Sequence, residues 1–71
     1  MDYRALIAKN IDEQIKYSGK TKTFVAQELG VDRVTIIDYT KGRAVPSTLL
    51  IRKLCKILDC NYEDVLGSLE N

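Results

Sequence analysis

Residues 22–41 read KTFVAQELGVDRVTIIDYTK, and this stretch decides the fold. Val25, Ala26 and Leu29 recur at helical spacing, so the first segment is a short amphipathic helix. Gly30 interrupts the pattern, because glycine enters the left-handed backbone region that a sharp helix end requires. Val31 follows as an apolar plug, and Asp32 is a good N-cap for a second helix. In that helix Ile36 and Tyr39 turn inward. Arg33, Val34, Ile37, Asp38 and Lys41 share the opposite face by the three-and-four spacing. Small Ala26 suits the crossing of two helices that meet at a steep angle.

Helix, tight turn and second helix make the helix-turn-helix layout, which carries its second helix to the DNA major groove. The stretch resembles the Cro/phage-repressor (XRE-type) helix-turn-helix family. The resemblance rests on alanine, glycine four residues on and an aliphatic residue six further on: Ala26, Gly30 and Ile36. Val25, Leu29, Val31 and Tyr39 fill the family's apolar slots. Lys41-Gly42 followed by Pro46-Ser47 is similar to its loop after the recognition helix, and Leu54 to Val65 to its last two helices. The resemblance spans roughly Ile11 to Leu66. It implies an all-α, compact five-helix, lambda-repressor-like DNA-binding domain over residues 1–71, with the motif at about 22–41 in helices 2 and 3.

Composition sets the bounds. A chain of 71 residues buries only about 60% of its extended surface, so one domain with one core is expected. Apolar content is 45%, enough for a helical bundle, with four tyrosines and one phenylalanine as the bulky core pieces. No apolar run approaches membrane-spanning length and MDYRALIAKN lacks a signal-peptide layout, so a cytoplasmic protein without a membrane partner is expected. Net charge is +1, and its distribution says more than its value. Lys41, Arg43, Arg52, Lys53 and Lys56 precede the next acid, Asp59, while Lys16, Lys20 and Lys22 form a second basic cluster. Arg52, Lys53 and Lys56 read as solvated helix surface. Lys22, Lys41 and Arg43 flank the reading helix and suit phosphate. The two cysteines, Cys55 and Cys60, come with no histidine. They read as buried free thiols rather than as a disulfide or a metal site. No cofactor, no metal ligand set and no catalytic residue is expected: a paired nucleophile and base and a glycine-rich phosphate loop are both absent.

Along the chain, Asp2 caps a first helix to about Tyr17, with Tyr3, Leu6, Ile7, Ile11, Gln14 and Ile15 inward, and Ser18-Gly19 ends it. Thr21 caps the second helix, leaving Lys22 at an N-terminus whose free amides suit phosphate. After the third helix Gly42 is the C-terminal cap, Pro46 blocks continuation and Ser47 caps a fourth helix. Its stripe is Leu50, Ile51, Leu54, Cys55 and Leu58. Asp59 stands where the family often has glycine, which strains that helix end. Asn61 to Asp64 is a capping-box start for a fifth helix, packed down by Val65, Leu66 and Leu69, with Glu70-Asn71 frayed.

The resemblance implies a sequence-specific, double-stranded DNA-binding transcription regulator, a bacterial or phage repressor. Position by position, it assigns Asp32, Arg33, Val34 and Asp38 to slots that face base edges, with Ile37 on the same outer face. Thr21, Lys22, Lys41, Arg43 and the Ser47 amide fall at slots that touch phosphate. Arginine reads guanine through two hydrogen bonds, and aspartate accepts from the cytosine amino group. The family's dimers imply a homodimer through the helix 4–5 corner, where Tyr62 either joins that contact or caps the core. Three departures stand out: acids at Asp32 and Asp38 on a face that meets a polyanion, Lys20 in a leucine slot, and Ile15 with Thr40 where an arginine–glutamate pair is common. The acids and aliphatics on the reading face also fit a different class, a protein-interaction module that kept the fold, antitoxin-like or regulator-binding.

Overall fold

The computed structural model describes residues 2–67. Leu69 and Glu70-Asn71 lie outside them, and with them the expected packing of the one and fraying of the others. Five helices follow in order: α1 (Tyr3–Ser18), α2 (Lys22–Leu29), α3 (Arg33–Lys41), α4 (Thr48–Leu58) and α5 (Tyr62–Leu66). There is no strand among the described residues. Helix starts fall where the side chains can satisfy orphan amides. Asp2 accepts from the Arg4 amide at 3.0 Å, Thr21 Oγ1 from the Phe24 amide at 3.0 Å and Ser47 Oγ from the Leu50 amide at 3.3 Å. At α5 the Asp64 carboxylate reaches back to the Asn61 amide at 2.9 Å. Asp32 is the exception. It occupies the N-cap position of α3, yet its side chain makes no cap bond. Only its carbonyl works there, accepting from the Thr35 and Ile36 amides at 3.0 and 3.3 Å.

α1 packs on α3 and α5, and α2 on α3 and α4. Ile11, Ile15, Val25, Ala26, Leu29, Ile36, Tyr39, Ile51, Leu54, Cys55, Leu58 and Val65 form one buried cluster. Ala26 is 3% exposed and lies in this cluster, on a helix that packs on both α3 and α4. The expected aromatic core is corrected. Tyr39 alone among the five rings is buried, while Tyr3, Tyr17, Phe24 and Tyr62 are exposed, Tyr17 by 76%. Branched aliphatics at three-and-four spacing fill so small an interior, and on α1 the buried face runs through Ala8, Ile11 and Ile15 instead of starting at Tyr3. No polar or charged residue is buried among the described residues.

Two of the three departures from the pattern the chain resembles find their explanations in packing. Ile15 joins the apolar cluster, and Thr40 Oγ1 donates to the Ile37 carbonyl at 2.8 Å, so the missing ion pair leaves no buried charge behind. Lys20 lays its stem along the protein and donates from Nζ to the Ile57 carbonyl at 2.6 Å. That carbonyl lies in the last turn of α4, where partners are lacking and positive charge is favoured. Asn10 Nδ2 likewise donates to the Val65 carbonyl at 3.0 Å and ties α1 to α5.

Three helix ends use one hydrogen-bond pattern, the Schellman motif. At α2 the Val31 amide donates to the Ala26 carbonyl at 3.0 Å, at α3 Arg43 to Asp38 at 2.9 Å, and at α4 Cys60 to Cys55 at 2.9 Å. Each bond brings together two side chains five residues apart. At α4 these are the two free thiols. Burial, then the neighbouring Cys55, pushes the Cys60 thiol up to about 12, and burial raises Cys55 as well. Both are protonated at neutral pH and pack as small hydrophobes.

Gly30 and Gly42 supply the left-handed residue at α2 and α3, but α4 uses Asp59 with φ +54°. An L-residue there carries a penalty of roughly 1–2 kcal/mol, less for aspartate, which tolerates the region. Asp59→Gly should therefore stabilise the domain by about 0.5–1 kcal/mol, glycine's extra unfolded-chain entropy taking back part of the gain. A higher urea midpoint at unchanged slope is the expected readout, and an unchanged or lower midpoint would show that Asp59 is not strained.

Candidate nucleic-acid interface

α3 is held to the core by Ile36 and Tyr39. Its remaining length follows from helical geometry: positions 33, 34, 37, 38 and 41 fall on the opposite face. Arg33 and Lys41 are exposed, and Val34 is 66% exposed. Ile37 and Asp38 are half-buried. The two aliphatics are thus unequal, with Val34 projecting and Ile37 sunk beside it. Arg33 makes no ion pair among the described residues, so its guanidinium donors are free for a planar partner. Asp32 is exposed with an uncommitted carboxylate.

The flanks carry the cations. Thr21 and Lys22 stand at the N-terminus of α2, with the Thr21 hydroxyl engaged as its cap. Lys41 closes α3, and Arg43 follows Gly42 in the connection to α4. The Ser47 hydroxyl is occupied as the α4 cap, so its backbone amide is the group left for phosphate.

Two ion pairs run through these residues that the sequence reading missed. Arg43 Nη1 lies 3.6 Å from Asp38 Oδ1, which joins an expected phosphate contact to an expected base reader. Lys22 Nζ lies 3.9 Å from Asp12 Oδ1 on α1. The same Asp12 holds Lys16 at 3.0 Å, and that hydrogen bond, then the opposite charge, raises the Lys16 ammonium above its usual value. The first pair had a signal in the sequence, since a helix ending on Gly42 brings positions 38 and 43 together. The second joins separate helices and had none. Val45 and Leu49, which bracket Pro46-Ser47, are exposed apolar side chains that the reading also passed over. Among the described residues no three His, Cys, Asp or Glu side chains are grouped to hold a metal ion. No helix there is long and apolar enough to cross a membrane.

A family model described as helix-turn-helix matches residues 16–65. Among solved structures the chain is similar to the SOS-response transcriptional repressor LexA from Eubacterium rectale, with TM-score 0.83 and 25% identity over 96% of this chain and 72% of that one. It is also similar to a hypothetical transcription factor, NHTF, from Neisseria, with TM-score 0.81 and 23% identity over 92% of this chain and 75% of that one. A search of the curated proteins found no match.

Proposed function

The chain belongs to the Cro/phage-repressor (XRE-type) helix-turn-helix family, and from that premise we propose that it is a sequence-specific double-stranded DNA-binding transcription regulator. Residues 1–71 act as one domain that reads the major groove with α3, as a cytoplasmic bacterial or phage repressor. The observation that carries the reading is the outer face of α3, which exposes Arg33 and Val34 and ends on the exposed Lys41, with Arg43 next along the chain. Arg33 takes a guanine edge and Val34, with Ile37 beside it, a thymine methyl. Asp32, whose carboxylate makes no cap bond, accepts from cytosine, and Asp38 lies on the same face. Thr21, Lys22, Lys41, Arg43 and the Ser47 amide take phosphates.

One reading helix spans few base pairs, so the regulator works as a homodimer with two helices one turn of DNA apart. The α4–α5 corner supplies the contact, where Tyr62 is exposed. Selection of bound sequences from a random duplex pool tests both ideas together. It should return a near-palindrome with half-sites about 34 Å apart. Recovery of unenriched sequence would refute base reading, and a single unrepeated half-site would refute the dimer.

Val34 also favours a second reading, because an exposed aliphatic beside a free carboxylate suits a protein partner. Val34→Ser separates the two. Loss of one methyl contact should weaken the selected site about fourfold, by the ~0.8 kcal/mol of a buried methylene. The effect should vanish when the contacted thymine is replaced by uracil. Unchanged DNA affinity with loss of a protein partner would instead establish the interaction module.

A further inference from the structure

The pair at the end of α3 is built in by the backbone. The left-handed Gly42 and the Arg43 amide bond to the Asp38 carbonyl set side chains 38 and 43 against each other, and their charged ends meet at 3.6 Å. At the start of α2, Lys22 has a similar neighbour in Asp12 of α1, at 3.9 Å. Two of the three cations assigned to phosphate therefore face a carboxylate of their own chain. Lys41 makes no such pair among the described residues.

We propose that Asp38 and Asp12 set specificity by competing with DNA phosphate for Arg43 and Lys22. The proposal rests on the DNA-binding reading above. Sequence-independent affinity comes from cations that each displace counterions from the duplex. A cation already neutralised within the protein contributes little to such a loose complex, and its carboxylate adds repulsion. In the cognate complex the base contacts of α3 fix the protein against the groove, and phosphates are presented to both cations at short range. Opening an exposed ion pair then costs only a factor of about 1.4–5. The carboxylates thus weaken binding to arbitrary sequence more than binding to the cognate site. They act through Arg43 and Lys22 and are positioning residues. This also gives the acid at position 38 a use on a surface that meets a polyanion.

The test measures affinity for a mixed-sequence duplex and for a selected duplex across a salt series. The variants are Asp38→Asn, Arg43→Gln and their double, and Asp12→Asn, Lys22→Gln and their double. The last three are each made in a Lys16→Gln background, because Asp12 also holds Lys16 at 3.0 Å. Glu28→Gln at the far end of α2 is the control for charge alone. Asp38→Asn and Asp12→Asn should each tighten the mixed-sequence duplex about threefold or more. The salt slope should steepen by ~1, since one more phosphate is contacted. The gain on the selected duplex should be smaller. In the Arg43→Gln and Lys22→Gln backgrounds the gain should fall to the level of Glu28→Gln. A gain that persists without the cation, or that matches Glu28→Gln, would overturn the proposal. So would Asp38→Asn changing the preference at one base pair, which would make Asp38 a base reader. Wild-type protein that binds duplex in a salt-dependent way while the aspartate variants change nothing would sink this proposal alone. Absence of any salt-dependent duplex binding by wild type would sink the DNA reading with it.

Discussion

Ile36→Ala should cost ~2–5 kcal/mol of stability and weaken DNA binding in proportion to the fraction of chain it leaves unfolded. Ile36 is 0% exposed and is one of the two side chains by which nine-residue α3 enters the core. Its removal leaves a cavity against the aliphatics of the other helices, and an interior built from interlocking branched side chains closes over such a gap only in part. A chain of this length has a total stability of roughly 3–10 kcal/mol, so the loss consumes a large share of it. Far-UV circular dichroism in urea is the direct measurement. An unfolding free energy within about 1 kcal/mol of wild type would mean that α3 is anchored by Tyr39 and its flanks alone. Val34→Ser, two positions away on the exposed side, should leave the same urea curve nearly unmoved. The contrast between neighbours in one helix separates what holds α3 from what α3 presents.

Arg33→Ala should have the opposite profile, with stability near wild type and a loss of ~1–3 kcal/mol confined to one base pair of the site. Arg33 opens α3, is exposed and has no carboxylate partner among the described residues. On the proposed reading its guanidinium would meet a base edge without first breaking an internal ion pair, unlike Arg43. The measurement is affinity for the selected site and for its single base-pair variants. Wild type should discriminate at one position where Arg33→Ala does not, and the two proteins should share a penalty elsewhere. Equal losses on selected and mixed-sequence duplex would move Arg33 to the phosphate-contacting group.

Most of the fold was legible because backbone rules place it. Gly30 had to be left-handed, Ala26 had to be small, and Thr21, Ser47 and Asn61 had to open helices. Each is a local constraint that a residue type satisfies almost alone. The aromatic residues were not legible from composition, since burial depends on position along a helix face. Tyr17 and Tyr39 are the same residue on opposite sides of that rule. Asp32 shows a further limit: the sequence places it at the N-cap, while its rotamer, which no local rule fixes, takes the carboxylate out of the cap. The candidate site follows the same division. The outward set on α3 comes from helical spacing. The Asp38–Arg43 pair required reading a helix end as a device that joins side chains, and the Asp12–Lys22 pair required the packing of α1 on its neighbours.

The helix ends that share one bonding pattern have a consequence for how such a protein changes over generations. The turn at each corner is dictated by the backbone and one left-handed residue, whereas the chemistry there belongs to a couple of side chains five positions apart. Here one corner carries alanine and valine, one carries opposite charges and one carries two thiols. Two substitutions suffice to give a corner a new character while its path in space stays the same. Lineages that inherit this scaffold can therefore vary their conduct at the DNA, or their sensitivity to the medium, at sites where the architecture is indifferent to the outcome.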